Sequence, residues 1–179
     1  MLNRNETGLI VVDIQGKLAR LVHDSESLIA NCEKLIKGAR ILGLPIIVLE
    51  QNPQRLGATV KELSKELKDI NPIAKFTFNG CESADFSQLA RKQNVDTWLV
   101  CGIEAHICVY QTAIGLIELG YNVELVTDCI SSRQITDKQI GIDRTRVHGA
   151  ALTSLEMCLY ELVRDCRSPE FKPILQLVR

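Results

Sequence analysis

Residues 97–117 read TWLVCGIEAHICVYQTAIGLI, and two patterns follow one another within them. Thr97–Cys101 is a nearly unbroken apolar run, the signature of a strand covered on both faces, where no polar side chain alternates with the apolar ones. Gly102 marks a turn, after which Ile107, Tyr110, Ile114 and Ile117 recur at helical spacing. The stretch is strand, tight turn, helix. Gly8–Val12 (GLIVV) opens the same unit nearer the start of the chain. Leu28, Cys32, Leu35, Ile36, Ala39 and Leu42 after Ser25 then form a helical stripe that Gly43 and Pro45 stop. Ile46–Leu49 and Asn122–Thr127 are further buried runs, the second followed by a helix expected over Asp137–Ala151. Between Glu50 and Phe78, Pro53, Gly57 and Pro72 predict an irregular excursion with a short helix over Thr59–Leu67 and a short strand at Ile73–Lys75. Helical patterns cover Asp85–Gln93, Leu155–Val163 and Phe171–Val178.

Strands alternating with helices require parallel βαβ units, because parallel neighbours need a crossover and right-handed crossovers cover both faces of the sheet. The expectation is a doubly wound α/β sandwich. With 179 residues, no linker and no internal repeat, residues 1–179 are read as one domain. Hydrophobic residues at 46% and charged residues at 24% exclude a disordered or fibrous chain. A net charge of -1 without a basic stripe gives no electrostatic case for a nucleic-acid partner. In MLNRNETGLIVVDIQ, Asp13 interrupts the apolar run, so neither a signal segment nor a membrane span is expected, and the location read from this is cytoplasmic. Seven cysteines without a C-x-x-C pair fit free thiols, and the scattered His23, His106 and His148 give no metal-ligand spacing. No metal or other cofactor is expected.

In sheets of this kind ligands bind beyond the carboxyl ends of the strands. The residues there are Asp13, Glu50-Gln51-Asn52, Lys75, the segment Gly102–Cys108, and Asp128. A cysteine in the first turn of a helix meets unsatisfied N–H groups and the positive end of the macrodipole, which favour thiolate. Cys108 has that position, Lys75 could supply a neighbouring ammonium, and Asp13 could accept the thiol proton. Taken singly, each has an ordinary reading as well: an inert buried thiol, a surface lysine, a helix-capping aspartate.

At these residues the sequence resembles the isochorismatase-like cysteine hydrolases, in particular the isochorismatase domain-containing proteins, nearly end to end. The resemblance is carried by Val11–Gln15 (VVDIQ), Glu50–Gly57 (EQNPQRLG), Ala74–Phe78 (AKFTF), Gly102–Val109 (GIEAHICV) and Asp128–Arg133 (DCISSR). It implies a three-layer fold with a six-stranded parallel sheet, and a catalytic triad mapped onto Asp13, Lys75 and Cys108. It further implies a cis peptide at Ile103–Glu104 that aims the Glu104 N–H, with the Cys108 N–H, at a developing oxyanion. Assembly into homo-oligomers is implied as well, and an apolar helical face near the C-terminus suits a self-contact.

The expected reaction is hydrolysis of a small amide-like or related carbonyl substrate, in which Cys108 forms an acyl-enzyme that water then cleaves. Gln15, Gln51 and Asn52 are the candidates for substrate contacts, with a hydrogen-bonded loop as the alternative role for Gln51 and Asn52. Nicotinamidases of this superfamily bind metal through an Asp-x-His motif after the second strand, where this chain has Glu50-Gln51-Asn52-Pro53. That departure disfavours zinc. Two other functions compete: a non-enzymatic scaffold on the same fold, and a redox-responsive thiol protein centred on Cys108.

Overall fold

In the computed structural model, which describes residues 1–179, the apolar runs become β1 (Thr7–Val12), β2 (Ile46–Gln51), β3 (Ile73–Lys75), β4 (Thr97–Ile103) and β5 (Asn122–Ser131), joined by a sixth strand, β6 (Ala151–Thr153). They form one sheet in the order β3-β2-β1-β4-β5-β6, with every pair parallel. The order reverses between β1 and β4. Alternate side chains of each central strand enter two separate apolar layers: Leu9, Val11 and Leu99 on one face, Ile10, Val12, Trp98 and Val100 on the other.

The first face is covered by α1 (Leu18–Leu21), α2 (Ser25–Leu42), α8 (Leu155–Val163) and α9 (Phe171–Val178). The short turns α3 (Pro53–Leu56) and α4 (Lys61–Ser64) lie in the excursion after β2, while α5 (Ala84–Lys92), α6 (Tyr110–Glu118) and α7 (Ile135–Val147) belong to the opposite layer. The result is the doubly wound three-layer sandwich. No helix is long and apolar enough to cross a membrane.

Three elements depart from the sequence reading. The helix expected through Ala151 ends at Val147, because Gly149 turns the chain with φ 105° and the next residues pair with β5 as the edge strand β6. The helix expected over Thr59–Leu67 shrinks to Lys61–Ser64, because Thr59 is held in an isolated antiparallel bridge to Gln15. Strand β5 runs on past Thr127 to Ser131 after a register shift against β4, so Asp128 lies within the strand.

Gly102 sits where β4 passes β1, paired with Val12, at φ +127°. A Cβ there would overlap the Val12 carbonyl oxygen. Gly102→Ala is expected to cost about 3 kcal/mol or more through backbone strain plus overlap, a fall of roughly 6–12 °C in melting temperature. Gly43→Ala supplies the control, since Gly43 caps α2 at φ +70° with nothing within 4 Å of an added Cβ and should cost only about 1–2 kcal/mol. Equal losses for the two would show that the approach of the strands has slack.

Candidate active site

The reversal in strand order opens a crevice between the carboxyl ends of β1 and β4, and three chain segments converge there. Asp13 leaves β1 in a left-handed conformation (φ 53°), a geometry that aspartate tolerates, with its N–H donating to the Leu49 carbonyl at 3.1 Å. Its side chain is 1% exposed. Lys75 ends β3, and its ammonium is fully buried. Nζ donates to Asp13 Oδ2 at 2.7 Å, to Gln51 Oε1 at 2.6 Å and to the Thr77 carbonyl at 3.3 Å. Those three acceptors use all three donors of the ammonium. Asp13 Oδ1 is left without a hydrogen bond although it is buried.

Cys108 comes from the turn Ala105–Val109 that follows β4. This is a π turn rather than the first turn of an α-helix: the Val109 N–H reaches back to the Glu104 carbonyl at 3.2 Å. The thiol lies close enough to Asp13 and Lys75 for both to act on it. Burial, and then the charge of Asp13, push it up to about 12, with Lys75 opposing. Desolvation outweighs the pull of the ammonium and favours the protonated thiol. Asp13 is itself raised above the ordinary carboxylate range, by burial first, with Lys75 pulling it back.

The Ile103–Glu104 peptide is cis. The Glu104 carboxylate turns toward Arg133, accepting from its backbone N–H at 2.9 Å and from its Nε at 3.1 Å. Above the thiol is a small cavity of about 100 Å³. Its walls are Leu18, Leu56, Phe78, Ile103 and Ile107, and its polar lining is Asp13, Gln51, Glu104 and Cys108. A roomier cleft of about 200 Å³ beside His23, Ser27 and Lys138 contains none of the three convergent residues.

The structure distributes the remaining candidates unevenly. Gln51 reaches the cavity, but its amide is spent on Lys75 and on the Phe76 carbonyl, to which Nε2 donates at 2.8 Å. Gln15, expected to touch substrate, is fully buried away from the cavity. It accepts from the Gln51 N–H at 2.6 Å and donates to the Gly57 carbonyl at 2.6 Å, tying β2 to the following loop. Asn52 is likewise outside the lining, its carbonyl accepting from Arg55 and Leu56 at the start of α3.

Glu50 accepts twice from Thr59, through N–H and Oγ1, both at 2.7 Å, and so braces the same loop. Asp128 accepts from the Leu155 N–H at 2.8 Å and anchors α8. His106 pairs with Ser132 at 2.9 Å. No group of three or more His, Cys, Asp or Glu side chains is arranged to hold a metal ion. The wall residues Leu18, Leu56, Phe78 and Ile107 were not identified in the sequence. Their one signal was apolar side chains in loops and turns beside the polar motifs.

The isochorismatase domain family matches residues 7–157. The chain belongs to the isochorismatase family. Isochorismatase domain-containing protein 2 from Danio rerio is 35% identical, over 95% of this chain and 85% of that one. MAR1 ribonuclease from Caenorhabditis elegans superposes with a TM-score of 0.93 at 35% identity, covering 99% of this chain and 91% of that one. The YcaC product of Escherichia coli, described as an octameric hydrolase of unknown specificity, also gives 0.93, at 25% identity over 98% and 89% of the two chains. This isochorismatase-family protein therefore shares the sheet, the layers and the length of a known hydrolase family.

Proposed function

We propose that this protein is a cysteine hydrolase that cleaves a small amide or related carbonyl compound through an acyl-enzyme on Cys108. The observation that carries the reading is the environment of the Asp13 carboxylate, which interacts with the Cys108 thiol: Oδ2 is held by Lys75 while Oδ1 is buried without a hydrogen bond. A buried acceptor is seldom left unpaired, and here it is free to take a proton. Asp13 accepts the Cys108 proton as Sγ attacks the carbonyl carbon. The tetrahedral adduct is stabilised by the Glu104 and Cys108 N–H groups. It collapses as Asp13 returns the proton to the departing nitrogen, leaving a thioester. Water then attacks the thioester, giving its proton to Asp13, and the acid leaves as the thiol is restored. Lys75 is a positioning residue that fixes the carboxylate and offsets its charge.

The raised thiol favours this base-assisted route over a redox-responsive thiolate, and three convergent polar side chains have no use in a scaffold. The name of the C. elegans neighbour points to a phosphodiester substrate for that protein. The cavity of this chain has no cationic residue in its lining to hold a phosphate, which favours a carbonyl compound as its small-molecule substrate. The octameric E. coli relative supports a homo-oligomer here, and the unpaired thiols support a reducing, cytoplasmic setting. Wild type and Cys108→Ala should be compared on a panel of amides, carbamoyl compounds and esters, with intact-mass detection of the enzyme. Turnover by wild type alone, with a mass gain equal to the acyl group, is expected. Equal activity of the two proteins overturns the reading.

A further inference from the structure

We infer that the site accepts a small uncharged substrate and rejects one that carries a carboxylate, a selectivity that rests on the hydrolase reading and narrows it. The inference comes from an account of the charges around the thiol. The cavity is bounded by five apolar side chains and by two acids, Asp13 and Glu104. Each acid already holds a cation: Asp13 pairs with Lys75, and Glu104 with Arg133. The amide of Gln51, the one neutral polar side chain in the lining, is occupied at both ends. Lys17 and Arg55 adjoin the wall residues Leu18 and Leu56 in sequence, yet both are exposed and neither lines the cavity.

A carboxylate entering this space loses its hydration and finds no free cation in exchange, because the positive charges beside Asp13 and Glu104 are already paired. An uncharged acyl group of the same size loses little and packs against Phe78, Leu56 and Ile107. The lack of an uncommitted cation thus acts as a filter, and the apolar wall supplies the attraction.

Iodoacetamide and iodoacetate test the filter without knowledge of the natural substrate, being nearly the same size and differing in charge. With either reagent the Cys108 sulfur forms a C–S bond, the C–I bond breaks, iodide leaves and the thiol proton passes through Asp13 to solvent. The thiol's own protonation affects both rates alike and cancels from their ratio. Cys166, exposed near the C-terminus, is the internal reference, read by peptide mapping of the native protein.

The acetamide-to-acetate rate ratio at Cys108 is expected to exceed that at Cys166 by at least about tenfold. A ratio within about threefold of the reference overturns the inference and leaves the nucleophile intact. Failure of both reagents at Cys108, with Cys166 labelled, overturns the hydrolase reading and this inference with it. Phe78 is a rim residue, 53% exposed, so Phe78→Lys places an ammonium at the mouth without disturbing the core. It should raise the iodoacetate-to-iodoacetamide rate ratio at Cys108 about fivefold or more, a ratio from which the lost wall contact cancels. An unchanged ratio would mean that the missing cation is not what excludes anions and would overturn the inference.

Discussion

Asp13→Asn is expected to lower turnover by about a thousandfold while Cys108 stays open to alkylation, since a positioned general base is worth roughly 10²–10⁴ in rate. The replacement keeps the shape of the side chain and removes its capacity to take the thiol proton. It also strips the buried Lys75 of its counter-charge, leaving the Gln51 and Thr77 oxygens as its surviving native acceptors. Breaking one side of a buried pair costs about 3–5 kcal/mol, so the variant should lose stability as well as rate. Lys75→Met should lose a comparable amount, because it leaves the carboxylate alone in the same dry site.

The double variant Asp13→Asn/Lys75→Met separates the two effects. Removing both charges cancels much of the stability cost, and urea unfolding should place it nearer to wild type than either single variant. Its turnover should stay at the level of Asp13→Asn. Stability losses that simply add would show that the pair is not coupled. Turnover regained in the double variant would mean that Asp13 only neutralises Lys75.

The frame of the fold was legible because parallel strands covered on both faces need unbroken apolar runs, and TWLVC and GLIVV are such runs. The convergence of Asp13, Lys75 and Cys108 was legible for the same reason: once the strands are placed, their carboxyl ends are placed too. The three-residue edge strand β6 was not. Ala151–Thr153 is too short to establish a period of two, and it takes its conformation from pairing with β5. Gln15 was misplaced because an amide in a motif beside a candidate acid looks the same in sequence whether it contacts a ligand or bridges two backbone segments. The burial of the Cys108 thiol was illegible for a related reason. A helix start can be read from spacing, whereas the wall of Leu18, Leu56 and Ile107 that dries the thiol is assembled from three distant segments.

That dryness extends across the molecule, and alkaline pH should expose it. Six of the seven thiols are pushed upward by their surroundings. Cys108 and Cys81 reach about 12, Cys129 about 11, and Cys32, Cys101 and Cys158 are raised as well. Burial is the leading cause for all but Cys101, where the neighbouring Cys32 thiol comes first. An unfolded thiol ionises near the ordinary value of 9.0. Above that pH the folded chain therefore binds more protons than the unfolded one, and stability falls as pH rises. The slope is up to about 1.4 kcal/mol per pH unit for each thiol that ionises only on unfolding. A domain stable by about 5–15 kcal/mol should then reach its unfolding midpoint within roughly one to two pH units above 9, near pH 10–11. Thermal melts in a reducing buffer from pH 7 upward should show a flat region followed by a steep decline. Cys108→Ala should leave most of that decline in place, because five raised thiols remain. A melting temperature that stays level through about pH 10.5 would show that these sulfurs ionise as easily folded as unfolded, and would remove with them the protonated Cys108 that makes Asp13 necessary as a base.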